Sequence, residues 1–150
     1  MNNIGKVLSV NISIKKGLIK HSVAEILCEE DYGIVGDAHA EKGSKRQISL
    51  LGQESIDKMI ALGVEGLCFG KFAENITTEG IILYLLPVGT KLQIGETIHE
   101  VTQIGKKCHA LDGCEVAKTV GTCVMPKEGI FTKVLKGGII KAGDIITVIE

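Results

Sequence analysis

At 150 residues, with 45% hydrophobic residues and a net charge of −1, the chain is long enough to bury a real core and reads as one domain, residues 1–150. No apolar run approaches the roughly 20 residues of a membrane span, and no charged and apolar leader is evident. No basic face is obvious, and with no Trp, two Tyr and three Phe the aromatics for base stacking are scarce, so neither a nucleic-acid nor a membrane partner is expected.

Five cysteines, Cys28, Cys68, Cys108, Cys114 and Cys123, are an odd number without a secretion signal. They point to free thiols in a reducing, cytoplasmic setting rather than a disulfide framework. No C-x-x-C pair occurs, which disfavours a zinc ribbon and a thioredoxin-type redox pair.

The first predicted strand is Lys6 to Ile14, where Leu8, Val10, Ile12 and Ile14 alternate with Ser9, Asn11 and Ser13. Lys16-Gly17 makes a turn, and Val23 to Leu27 is a second strand. The central stretch, Asp31 to Leu51, follows. Gly33 and Gly36 flank two β-branched residues, Asp37 and His39 stand two apart, and a basic segment runs from Lys42 through Lys45 and Arg46. An acceptor, a proton switch and a bidentate anion donor thus share a glycine-punctuated loop, the kind of element that holds functional side chains. A solvated surface loop is the competing interpretation. Gln47 to Leu51 is the third strand.

Gln53 to Leu62 is the best helix, with Ile56, Met59, Ile60 and Leu62 on one face and Gly63 as its stop. Leu67 to Phe72 is short and glycine-bounded. Phe72 to Gly80 reads as a strand and a turn, and Ile81 to Leu86 as an apolar run cut by Pro87. Leu92 to Ile94 and Ile98 to Ile104 flank Gly95-Glu96 as a hairpin, and Ile139 to Val148 repeats the form around Gly143-Asp144. Nineteen glycines between short apolar segments, with one convincing helix, predict a mostly β fold: a closed or nearly closed mixed or antiparallel β-barrel with one or two short helices.

A second constellation lies at Lys106-Lys107-Cys108-His109. Its positive charge favours the Cys108 thiolate, the form that attacks and carries sulfur. An ordinary loop cysteine beside solubilising lysines is the plain alternative. Metal binding by Cys108, His109, Cys114 and Cys123 is another, although the spacing matches no standard zinc pattern. Cys28 and Cys68, in apolar strand-like contexts, read as core residues.

The stretches Gly33–His39, Arg46–Leu51, Phe72–Gly80, Leu86–Gly95, Thr102–His109, Gly129–Val134 and Gly143-Asp144 together resemble the small stand-alone bacterial members of the MOSC family, named for the C-terminal domain of molybdenum-cofactor sulfurases. The resemblance implies a β-barrel domain that binds the molybdenum cofactor (molybdopterin) or its pterin and carries or transfers sulfur through a cysteine. Carried over, the cysteine is Cys108. The cofactor-binding residues are Asp37, His39, Lys45, Arg46, Glu74, Asn75 and Thr77, with Lys106, Lys107 and His109 beside the cysteine, and no protein ligand to a metal is assigned. Lys45 stands where such proteins often have His, so a histidine role does not transfer there. A pyridoxal-phosphate desulfurase domain is not seen, so no pyridoxal phosphate is expected and sulfur would come from a partner desulfurase or another cofactor-biosynthesis protein. A non-catalytic binding or docking module is the alternative from a different class.

Overall fold

The computed structural model describes residues 4–15, 20–63, 74–105 and 128–149. Its strands are β1 (Ile4–Ile12), β2 (His21–Val23), β3 (Glu25–Glu29), β4 (Gly33–Ile34), β5 (Ile48–Gly52), β6 (Ile76–Glu79), β7 (Lys91–Ile94), β8 (Thr97–Ile104), β9 (Ile130–Lys136), β10 (Gly138–Lys141) and β11 (Ile145–Ile149). Helix α1 spans Gln53–Ala61, and a 3-10 turn spans Leu83–Leu85. The short glycine-bounded segment Leu67 to Phe72, the Lys16-Gly17 turn, Cys68 and the whole Lys106–Cys123 constellation lie outside the described residues.

Seven strands close into a mixed barrel in the order β11-β7-β8-β9-β5-β6-β1, with β1 returning to β11. Every pairing in the ring is antiparallel except β5 with β6. Its interior is aliphatic: Val7, Val10, Ile48, Leu50, Ile76, Leu92, Ile94, Val101, Ile130, Val134 and Ile146 are all buried. The mostly β barrel predicted from short alternating segments is what the chain forms.

β1 departs from simple alternation. Its register on β6 shifts between Val7 and Ser9. This bulge lets Val7 and Val10, an odd spacing apart, both enter the core cluster. The strand ends at Ile12 rather than Ile14, because the backbone of Ser13 turns to bind Asp37. Ile14 is exposed. Val23 to Leu27 is two strands, not one. β2 stays on β1, with Val10 opposite Val23, whereas β3 crosses to a second sheet, β10-β3-β4.

The hairpin at Gly95-Glu96 forms as predicted, with Ile94 opposite Thr97. The segment with the same signature at Gly143-Asp144 does not make one. Both edges of β11 are occupied, by β1 and by β7, so β10 pairs with β3 instead, Ile140 opposite Ile26. Helix α1 ends at the predicted stop, Gly63, whose φ is +94° and whose N–H bonds the Ile60 carbonyl. Its inner face is Ser55, Ile56 and Met59. Ile60 and Leu62, predicted on that face, are exposed.

Candidate functional site

The central loop leaves β4 and returns at β5, and its base is tied before any site residue appears. Gln47 is wholly buried. Its Nε2 donates to Asp31 Oδ1 at 3.0 Å, and its Oε1 accepts from the Val134 N–H at 2.9 Å. Gly33, with φ +127°, leaves so little room that an added Cβ would sit 2.9 Å from the Gln47 carbonyl oxygen. That close approach is why the stretch needs glycine there.

Gly36 (φ +89°) then swings the chain so that Asp37 points inward. Asp37 Oδ1 accepts from Lys20 Nζ at 2.7 Å and from the Ser13 N–H at 3.1 Å, and Oδ2 accepts from the His39 N–H at 3.1 Å. Both Asp37 and Lys20 side chains are fully buried. Burial works against ionisation of Asp37, but the Lys20 hydrogen bond and charge, with the two backbone amides, outweigh it and hold the carboxyl below the usual range. Lys20 Nζ also stands 3.3 Å from Ser13 Oγ and 3.1 Å from His39 Nδ1. The His39 side chain keeps 36% exposure, so the loop presents the imidazole while hiding the ion pair beneath it.

A second polar cluster sits against the same end of β1. Asn75 uses both ends of its amide: Oδ1 accepts from the Ser49 N–H (2.9 Å) and Oγ–H (3.1 Å), and Nδ2 donates to the Asn11 carbonyl at 3.1 Å. Thr77 donates its hydroxyl to Glu74 Oε2 at 2.7 Å. Asn11 Nδ2 meets the Glu74 carbonyl and Thr77 Oγ1, while its Oδ1 accepts from Ser9 and Ser22. Glu74, Asn75 and Thr77 are all buried. They bind β5, β6 and β1 to one another, and Asn11 and Ser13, two apart, link this cluster to Asp37.

Lys45 and Arg46 are exposed and take their partners from β8 and β9. The Lys45 carbonyl accepts from Thr102 Oγ1. Arg46 Nε donates to Gln103 Oε1 at 3.0 Å, and its guanidinium lies 5.5 Å from the centre of the Phe131 ring. Gln103 in turn donates to the Gly105 carbonyl at 2.8 Å. Arg46 therefore rests on β8 and β9, at the strand end whose next residues in sequence are Lys106, Lys107 and Cys108. The structure joins Asp37 to His39 directly and joins Glu74, Asn75 and Thr77 into one network. It takes Arg46 to Gln103 and Phe131 rather than to Asp37.

Lys20 and Asn11 were missed from sequence. Lys20 follows the apolar pair Leu18-Ile19, a weak sign of an inward lysine, and Asn11 reads as the solvent side of an alternating strand. His99, also unremarked, is wholly buried, with Nε2 2.6 Å from Thr97 Oγ1. Burial pushes its pKa down to about 4. Cys28 is in the core as predicted, its thiol pushed up to about 12 by burial. Among the described residues no group of three or more His, Cys, Asp or Glu side chains could hold a metal ion, and no helix is long and apolar enough to cross a membrane.

No curated protein matches the chain. Among solved structures it is similar to YuaD of Bacillus subtilis, with 18% identity over 99% of this chain and 97% of that one and a TM-score of 0.79. It is similar to YiiM of Geobacillus stearothermophilus, with 21% identity, 97% and 75% coverage and a TM-score of 0.69. YiiM of Escherichia coli gives 19% identity, 100% and 70% coverage and a TM-score of 0.63. At these identities the likeness is one of fold. The family assignment comes from the model of the MOSC domain, which matches residues 36–147, and by that match the chain belongs to the MOSC domain family.

Proposed function

We propose that the protein binds the molybdenum cofactor or its pterin and carries sulfur on Cys108. The family association with this cofactor gives the ligand class, and the observation that carries the reading is the seat of Arg46. An exposed guanidinium, oriented by Gln103 and stacked near Phe131, is a preformed fork for phosphate oxygens. It is anchored on the strand that leads in sequence to Cys108. Gln103 draws on Nε, one of five N–H donors of the guanidinium.

The exposed donors suit such a ligand. Lys45 and Arg46 would meet the phosphate, and His39 an oxygen or ring nitrogen. Asp37, Asn75 and Thr77 act beneath them, since their polar atoms are committed to Lys20, Ser49, Asn11 and Glu74. The cofactor, when bound, supplies the metal and dithiolene chemistry. The chain supplies the anion seat and the thiol. In sulfur transfer the Cys108 thiolate attacks the outer sulfur of a donor persulfide. The donor's S–S bond breaks, a new S–S bond forms at Cys108 Sγ, and the donor leaves as a thiolate. A separate cysteine desulfurase would be that donor, in the cytoplasm.

The test is to mix the protein with extracted molybdenum cofactor and follow co-elution by pterin fluorescence and metal analysis. Co-elution with the wild type is expected. Its absence would overturn the reading. Replacement of Cys108 by Ser separates the roles: retained binding with lost sulfur transfer supports a carrier, whereas a wild type that binds the cofactor but transfers no sulfur, with binding unchanged in the variant, leaves a binding module.

A further inference from the structure

We propose that Lys20 is a positioning residue that fixes His39 as its Nε2–H tautomer, so that His39 offers a hydrogen-bond donor at its outer nitrogen. An ammonium has three N–H donors and no acceptor. Around Lys20 Nζ stand three acceptors: Asp37 Oδ1 at 2.7 Å, His39 Nδ1 at 3.1 Å and Ser13 Oγ at 3.3 Å. The Ser13 hydroxyl proton is already given to the Lys15 carbonyl, at 3.2 Å, so its oxygen can only accept from Lys20. Asp37 pairs with Lys20 inside the protein, both side chains fully buried, and supplies the counter-charge that a buried ammonium needs.

An ammonium facing Nδ1 requires a lone pair there, and the ring proton then belongs on Nε2. Among the described residues the carboxylate nearest the ring does not take a proton from Nδ1. Asp37 Oδ2 is 3.9 Å away, beyond hydrogen-bond reach, and it takes the His39 backbone N–H instead. Whatever meets the outer nitrogen must therefore be an acceptor, such as a phosphate or carbonyl oxygen or a ring nitrogen with a lone pair. A metal ion or a donor N–H is excluded at that position. The identity of the ligand rests on the function proposed above, but the tautomer is a property of the protein alone.

Long-range ¹H–¹⁵N correlation spectra of ¹⁵N-histidine-labelled wild-type protein at neutral pH read the tautomer directly. His39 is assigned by the signal lost in His39→Gln. A single Nε2–H pattern is expected. An Nδ1–H or averaged pattern would overturn the proposal. Lys20→Met should lose the single pattern to averaging, while Lys20→Arg, which keeps a cationic donor, should retain it. An unchanged pattern in a folded Lys20→Met protein also overturns it, and if that variant does not fold the wild-type spectrum decides. An Nε2–H spectrum in a protein that retains no pterin would support this inference and count against the cofactor reading alone.

Discussion

Lys20 and Asp37 meet at 2.7 Å with both side chains wholly out of solvent, and the loop that carries His39 is built on that contact. Removing one partner of a buried pair strands the other charge, at a typical cost of about 3–5 kcal/mol. Lys20→Met should therefore destabilise the protein by about that much, and adding Asp37→Leu should restore a large part of it. Urea unfolding of the two single variants and the double variant checks this. Additive losses would show that the two residues act independently.

His99 makes acid stability a measurable property of the barrel. Its folded pKa lies near 4, below the ordinary value of 6.5, because burial disfavours the charged ring. The unfolded chain therefore takes up a proton first as pH falls. The contribution of the neutral ring is fully present above 6.5 and is lost progressively down to about 4. The gap corresponds to about 3 kcal/mol. Urea midpoints for wild type and His99→Gln should converge from about pH 7 toward about pH 4. A difference that stays constant across that range would show that His99 does not titrate differently in the two states.

Arg46→Ala should weaken pterin-phosphate binding more than Arg46→Lys. Lysine keeps the charge but loses the bidentate fork and the seat between Gln103 and Phe131. A charge-assisted hydrogen bond contributes about 1.5–3 kcal/mol, so the alanine loss should be roughly tenfold or more. Fluorescence titration with the extracted pterin measures it. Equal affinity for wild type and the alanine variant would remove Arg46 from the site.

Cys108 should be the most reactive thiol of the chain. Lys106, Lys107 and His109 are its sequence neighbours and favour a thiolate, whereas burial pushes the Cys28 thiol up to about 12. After incubation with a cysteine desulfurase and cysteine, then alkylation and digestion, the Cys108 peptide should gain about 32 Da, the mass of one sulfur atom, and lose it on reduction. Limiting iodoacetamide labelling another cysteine first, with no added mass at Cys108, would sink the sulfur-carrier role.

The barrel was legible because its short alternating segments and glycine turns are local signals. The hairpin around Gly95-Glu96 shows their strength and the segment around Gly143-Asp144 their limit. Both carry the same signature, but partner choice depends on which strand edges are already taken, and β11 has none left for β10. In the site, Asp37 and His39 were visible as polar residues on a glycine-rich loop. Their partner Lys20 was not, because the ion pair is a tertiary contact across distant positions. Asn11 is one of the polar residues that alternate with Val10 and Ile12, on the face opposite those apolar side chains. Neighbouring strands cover that face, and the amide became a buried tie to the Glu74 carbonyl and Thr77.

The ring closes where Ile4 lies opposite Thr147, so the first strand of the barrel needs the last as its neighbour. A nascent chain on the ribosome can assemble β5, β6 and the β7–β8 hairpin, yet one edge of β1 stays open until the segment 145–149 has emerged. Joining segments so distant in sequence is slow, and an unpaired edge is a template for other chains. Synthesis therefore leaves the barrel as an open sheet until residues 145–149 are made, and aggregation during expression should depend on how quickly β11 is released to close it.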